Sequence, residues 1–183
     1  MASDARVRYT KMVITQSFVK LLKTEPINRI TVKQICDLAE INRATFYKHY
    51  LDVYDLLEKM EEKFLIELKA VLDSRENNMA KDILTFIMVK FKEEEDTYKA
   101  ICSPNGDATF PSKLFEVCYT FSMEHEGLTA KHISDEKKKW CYHFIAHGCN
   151  GVLNQWIADG MKEPISEVAD FMERLISNTL SAL

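Results

Sequence analysis

The stretch INRATFYKHY, Ile41 to Tyr50, is where the reading of this chain turns. Asn42 can cap a helix by accepting a backbone N–H, and Ile41 before it with Phe46 inside would staple the chain's entry. The helix that follows is too short to stand alone, since so few hydrogen bonds do not offset the cost of its first turn. At about 100° per residue, Phe46 and Tyr50 share one face. Thr45, Lys48 and His49 point away from it, with Arg43 and Tyr47 on a flank. The outer face thus gathers guanidinium, hydroxyl, phenol and ammonium donors. An Arg suits guanine edges, while Lys, Tyr and backbone N–H groups suit phosphates. The helix N-terminus beside Asn42 also attracts phosphate oxygens. On composition alone, an ordinary solvated face competes with a nucleic-acid surface.

The flanks repeat the capping device. In ITVKQI, Thr31 and Gln34 make a capping box, with Ile30 and Ile35 as its staple; in LDVYDL, Asp52 caps, with Leu51 and Leu56 as the staple. The connection Ala39-Glu40-Ile41 has the length that a helix-turn-helix uses. A first helix is expected from about Asp4 to Thr24, with Val7, Ile14, Phe18, Leu21 and Leu22 on one stripe, until Pro26 breaks it. Beyond the triplet, a long helix should run from about Asp52 to Asp73, then a break at SRENN (Ser74 to Asn78). Further helices are expected over about Met79–Lys92, in EEEDTYKAIC, and over about Pro111–Glu126, with SPNGD (Ser103 to Asp107) as a loop. Two long ones should close the chain, about Asp135–Asp159 and Ser166–Ala182. Gly160 would end the first, and Pro164 with Ser166 would open the second.

The bulk numbers agree with an all-α fold. The 183 residues are 46% hydrophobic, enough for a full core, yet hold only 5 Gly and 4 Pro as turn material. Five cysteines (Cys36, Cys102, Cys118, Cys141, Cys149) lie scattered without a CxxC pair, as in a reducing cytoplasm. The N-terminus has no apolar signal core, and no apolar run approaches a membrane span, so a cytoplasmic protein without membrane contact is expected. Charge is uneven. Residues 1–51 carry 9 Lys/Arg against 4 Asp/Glu, and the rest carry 15 against 24. A basic head on an acidic body suits an anion partner.

Here the sequence resembles a known family. ITVKQICDLAEINRATFYKHYLDVYDLL is similar to the helix-turn-helix of TetR-type transcriptional regulators, most specifically in Thr45 to Tyr50; HFIAHGCNGVLNQWIADG is similar, more loosely, to the penultimate helix of some members. The resemblance implies a three-helix DNA-binding head (residues 1–51) joined by a long helix to a ligand-binding and dimerising helical body (52–183). By position, Thr31 and Lys33 would touch the DNA backbone. Arg43, Ala44 and Thr45 would face bases, and Tyr47, Lys48 and His49 would hold or flank phosphates. Two positions depart from the family pattern. Glu40 stands where Gly is usual in the turn, and Val53 where a phosphate-contacting Lys is usual. The expected function is a sequence-specific regulator, a repressor by expectation, on a near-palindromic double-stranded operator. A small molecule in the body would modulate it; the alternative is a co-regulator whose body binds a partner protein.

No catalytic constellation or cofactor motif stands out in the body, so neither enzyme activity nor a cofactor is expected. His143 and His147 are four apart, with Cys141 and Cys149 nearby. Those cysteines sit eight residues apart, more than two turns, so packing is expected there rather than a metal. Gly148 and Gly151 each cost about 1 kcal/mol inside a helix, which close approach of another helix would offset. The resemblance makes that helix part of a homodimer interface, with Ile145, Gly148, Gly151, Val152, Trp156, Met172, Leu175 and Ile176 as candidates. Burial within one subunit is the plainer alternative. Candidates for a pocket lining are Phe86, Met88, Tyr98, Cys102, Phe110, Cys118, Tyr119, Phe121 and Met123, with His147 as a polar contact.

Overall fold

The capping signals become real caps. In the computed structural model, which describes residues 2–73, 80–124 and 134–181, Thr31 and Gln34 bond reciprocally. Gln34 N–H donates to Thr31 Oγ1 at 3.3 Å and Thr31 N–H to Gln34 Oε1 at 2.8 Å. Asn42 Oδ1 accepts from Thr45 N–H at 2.8 Å. Asp52 Oδ1 accepts from Tyr54 N–H and Asp55 N–H at 2.8 and 2.9 Å. Helix α1 spans Ala2–Leu22 and ends ahead of Pro26 and a 3-10 turn, Ile27–Arg29. Then come α2 (Val32–Leu38), α3 (Arg43–Tyr47) and the long α4 (Val53–Asp73). The residues of two of the three staples are withdrawn from solvent: Ile30, Ile35 and Phe46 are buried and Ile41 is half-buried. The third is not, because Leu51 is 77% exposed; Asp52 caps α4 without it. Val7 in α1 is likewise exposed.

The remaining helices are α5 (Ala80–Glu93), α6 (Glu95–Ile101), α7 (Phe110–Glu124), α8 (Asp135–Ala158) and α9 (Ile165–Ser181). The described residues contain no strand, so the all-α expectation holds. The expected break at SRENN, the start at Met79, the end at Glu126 and the side chain of Met123 lie outside the described residues. Gly160 adopts φ 85°, the left-handed residue that closes α8. Trp156 Nε1–H then donates to the Glu163 carbonyl at 3.1 Å and fixes the turn into α9. No helix among the described residues is long and apolar enough to cross a membrane.

Two compact units emerge, and neither is contiguous in sequence: Met1–Lys63 with Glu95–Phe110, and Phe64–Glu94 with Pro111–Leu183. The expected boundary at residue 51/52 falls at the cap of α4, ahead of Lys63. In the first unit α1 packs on α2 and on α6, and α2 on α3. Ile14, Phe18, Leu22, Ile35, Phe46 and Leu56 are fully buried there. The loop at Asn105 ties this unit together. Its side chain donates to the Leu22 carbonyl at 3.1 Å, and its own carbonyl accepts from Ile27 N–H at 2.9 Å. Gly106 is required beside it, since a Cβ there would stand 2.4 Å from the Ile101 carbonyl oxygen. In the second unit α9 packs on α5 and α8. Phe64 meets the Phe91 and Phe86 rings at 5.6 and 6.0 Å, and Lys90 pairs with Glu67 at 2.9 Å.

Candidate nucleic-acid interface

Between α2 and α3 the chain reverses in three residues. Ile41 N–H donates to the Cys36 carbonyl at 3.0 Å, and Glu40 takes φ 54° to permit it. That is the left-handed region, which costs a side-chain-bearing residue about 1–2 kcal/mol and a glycine almost nothing. The chain keeps the tight turn and bears the strain at Glu40.

Helix α3 is anchored by aromatic packing. Phe46 is fully buried and meets the Tyr47 ring edge-on at 5.7 Å and the Tyr50 ring at 5.6 Å. Burial raises the Tyr50 pKa, with Thr15 of α1 among the groups that oppose the rise. Lys59 of α4 closes the other side. Its ammonium donates to the His49 carbonyl at 3.2 Å and to Asp55 Oδ2 at 2.8 Å, and it lies 5.5 Å from the Tyr50 ring centroid. A cation bonded to a carbonyl just past α3 complements the negative end of that helix.

This scaffold sorts the residues expected to meet DNA. Thr31, Lys33, Arg43, Ala44, Tyr47 and Lys48 are exposed, and Thr45 and His49 are half-buried. The apolar residues that alternate with them, Ile35, Cys36, Phe46 and Tyr50, are buried. Two of the hydroxyls are already engaged. Thr31 donates to Gln34 Oε1 at 2.7 Å and Thr45 to Asn42 Oδ1 at 3.0 Å, so toward DNA they would serve as acceptors or change partner. The imidazole of His49 has its pKa lowered by burial first, then by the charges of Lys11 and Lys48. Val53, where the family has a phosphate-contacting lysine, is only 7% exposed and packs into the core. Sequence reasoning missed Thr15, Lys11 and Lys59. The i,i+4 spacing of Asp55 and Lys59 was a readable signal, whereas nothing local marked the other two.

The body residues separate more sharply. Tyr98, Cys102 and Phe110 belong to the first unit, where Tyr98 and Phe110 are core. Phe86, Met88, Cys118, Tyr119 and Phe121 belong to the second, where Met88 is buried. One lining does not hold all of them within either unit. His147 is exposed, stacked on His143 at 6.3 Å, with Cys141 and Cys149 buried. A residue not singled out, Tyr142, stacks on Tyr119 at 4.1 Å, and its buried hydroxyl has no hydrogen-bond partner among the described residues. Burial, with the Cys118 thiol next, pushes its pKa up. Burial also pushes the Cys102 and Cys118 thiols up to about 12 and Cys149 to about 11. A cleft of about 570 Å³ lies between α4 and α7, lined by Leu65, Lys69, Lys113, Val117 and Phe121 among others.

Among the candidates for a dimer face, Trp156 and Met172 are buried within the chain and leave no surface for a partner. Ile145, Val152 and Ile176 are half-buried. Gly148, Gly151 and Leu175 are exposed, and a Cβ on either glycine would meet nothing within 4 Å. No described part of the chain supplies the close approach that would offset the glycines. Trp140 and Phe144, which sequence reasoning passed over, and Phe171 of α9 are exposed on the same two helices. The spacing Trp140, Phe144, Gly148, Gly151 was the signal for that stripe.

A family model for the C-terminal region of transcriptional regulators of the TetR type matches residues 78–178. DhaS, the transcriptional activator of the dhaKLM operon in Lactococcus lactis subsp. lactis (strain IL1403), is 27% identical over 135 residues, 74% of this chain and 66% of that protein. The match thus spans just under two thirds of that relative's length. Two crystal structures share the fold. A TetR transcriptional regulator from Streptococcus agalactiae 2603V has a TM-score of 0.67 at 22% identity, covering 96% of this chain and 98% of that one. NalD, the secondary repressor of the MexAB-OprM multidrug efflux pump in Pseudomonas aeruginosa, also has 0.67, at 14% identity, covering 98% of each. A helix-turn-helix with its donors outward thus precedes a C-terminal region that matches the family over more than half of the chain, and the chain belongs to the TetR-type transcriptional regulators.

Proposed function

We propose that this regulator is a homodimer that binds a near-palindromic operator in double-stranded DNA, with one α3 in each of two major grooves. Arg43, Ala44 and Thr45 meet base edges. Thr31, Lys33, Tyr47, Lys48 and His49 hold or flank phosphates. The two recognition helices sit about one DNA turn apart, roughly 34–36 Å. The observation that carries this reading is the division of α3 and the residues just after it, with Phe46 and Tyr50 buried and Arg43, Ala44, Tyr47 and Lys48 exposed. Residues 1–51 form the DNA-reading head, and residues 52–183 carry dimerisation and effector response.

Pairing runs through the exposed faces of α8 and α9. A Cβ on Gly148 or Gly151 there meets nothing within 4 Å among the described residues, which leaves room for a second chain, and Phe171 and Leu175 are 47% and 46% exposed. The protein acts in the cytoplasm by binding rather than catalysis. It represses by covering a promoter, and a small apolar effector in the second unit releases it, so DNA and effector oppose one another through a reciprocal coupling. The test is an electrophoretic shift on the DNA upstream of its own gene, followed by transcription in vitro. Discrete binding to one site with loss of transcript supports the reading. Equal, weak binding to every duplex at low salt overturns it, and a gain of transcript reverses its sign to activation.

A further inference from the structure

Two imidazoles stand on the exposed side of α8. His143 and His147 are four residues apart and so share one face of the helix. Both are exposed, their ring centroids lie 6.3 Å apart and their planes are inclined at 21°. The neighbouring Cys141 and Cys149 are buried, so the donors offered outward by this stretch are nitrogens. Among the described residues, no group of three or more His, Cys, Asp and Glu is placed to hold a metal ion. The described part of one chain therefore brings two donors to this face, half of what a tetrahedral ion takes.

Two imidazoles that ligate one tetrahedral ion at about 2.1 Å hold their ring centres about 5 Å apart, so the observed pair is wider by about 1 Å. Rotation of two exposed side chains closes that gap without moving the helix. There is room beside them. Gly148 follows His147 and Gly151 is one turn on, and a Cβ on either meets nothing within 4 Å among the described residues. Trp140 and Phe144, 62% and 69% exposed, precede the two imidazoles by three residues each and give the face an apolar rim. His147 also stands at the middle of α8, which runs from Asp135 to Ala158. In a two-fold pairing of α8 about that midpoint, the imidazoles of both copies meet beneath the apolar rim. Nitrogens covered there need a partner, and protonating all of them would set cations against one another.

We propose that His143 and His147 are one half of a site for a divalent transition-metal ion of the zinc class, and that the same pair on a second copy completes it. This rests on the pairing through α8 argued above. Two imidazoles from each copy make the closed tetrahedral shell of a structural zinc ion. An all-nitrogen set favours zinc, copper or nickel over calcium and magnesium, which take oxygen. An ion held only by the paired form stabilises pairing by mass action. Metal supply would then set how much of the protein holds two recognition helices together.

The test is calorimetric titration of zinc sulfate into the full-length, chelator-treated protein, with sedimentation run in the presence and absence of Zn2+. Electron paramagnetic resonance with Cu2+ counts the nitrogen donors. The unaltered chain is compared with His143→Gln, His147→Gln and the double variant. One ion should bind per two chains, with four nitrogens around Cu2+, and each single variant should weaken binding by more than about tenfold. Melting temperatures of the metal-free variants should not move, because both side chains are exposed. Zn2+ binding that survives in the double variant rejects the site. One ion per chain with two nitrogens rejects its sharing between copies. A dimer that takes up no Zn2+ rejects the site too and leaves the pairing reading standing. A chain that stays monomeric with and without Zn2+ overturns the pairing reading itself.

Discussion

The rings of Phe46 and Tyr50 meet at 5.6 Å with their planes inclined at 48°, one helical turn apart. This contact and the burial of Phe46 hold a five-residue helix that has almost no stability of its own. Phe46→Ala should therefore cost about 3–5 kcal/mol through the cavity it leaves. Chemical denaturation followed by circular dichroism checks it. Tyr47→Ala, at an exposed ring, is the control and should leave the midpoint nearly unchanged.

Arg43 and Lys48 share a surface but should fail differently. Arg43→Ala should cost about 1–3 kcal/mol on the operator and relax preference at a single base pair. Lys48→Ala should weaken every duplex alike and flatten the salt slope by about one. Binding titrations over single-base operator variants separate the two. Identical profiles for both changes would mean that Arg43 does not read a base.

Glu40 bears the strain of the turn. Glu40→Gly should relieve its φ of 54° and raise stability by up to about 1 kcal/mol, the gain being reduced by the greater freedom of glycine when unfolded. A lower melting temperature would show that the carboxylate makes a contact worth more than the strain. Operator affinity should not change.

His49 gives the head a pH dependence. Burial, then Lys11 and Lys48, keep its pKa below 6.5, so the folded head prefers the neutral ring. The unfolded chain then binds more protons, and its contribution to stability is intact above about pH 6.5 and is lost as pH falls from there through the lowered pKa. A bound phosphate would pull the other way and favour the imidazolium, so operator binding should take up a proton. Thermal melts and binding isotherms from pH 7.5 to 5.5 measure both. His49→Gln should remove both trends.

Phe171→Glu tests the paired state. The side chain is exposed, so the subunit fold should survive, while two added charges facing across a two-fold axis should separate the copies. Sedimentation should fall from twice the 21.2 kDa chain mass to that mass, with operator affinity falling too. An unchanged dimer would move the interface away from this face of α9.

The head was legible because its signals are local. Thr31, Asn42 and Asp52 announce their helices through bonds within three residues. Leu51 misled for the same reason: the pattern of a staple is local, but whether anything stands opposite it is not. The place of α6 in the first unit was invisible, since it depends on pairs such as Asn105 with Leu22, separated by 83 positions. Val53 could be read as a departure from the family but not as a core residue. In the body, helical spacing did not tell which face is inward, so Trp156 was expected on a partner surface and lies buried, and His147 was expected inside and lies exposed.

The five native thiols carry a practical consequence. Cys36, Cys141 and Cys149 are buried, and burial raises the pKa of all five, with Cys102 and Cys118 at about 12. Very little thiolate is available at neutral pH to attack an alkylating dye. A cysteine engineered at an outward position near α3 would thus take up a maleimide fluorophore almost alone, without first stripping the chain of its own sulfur. In the proposed dimer, energy transfer between two such labels would report the separation of the heads directly in solution.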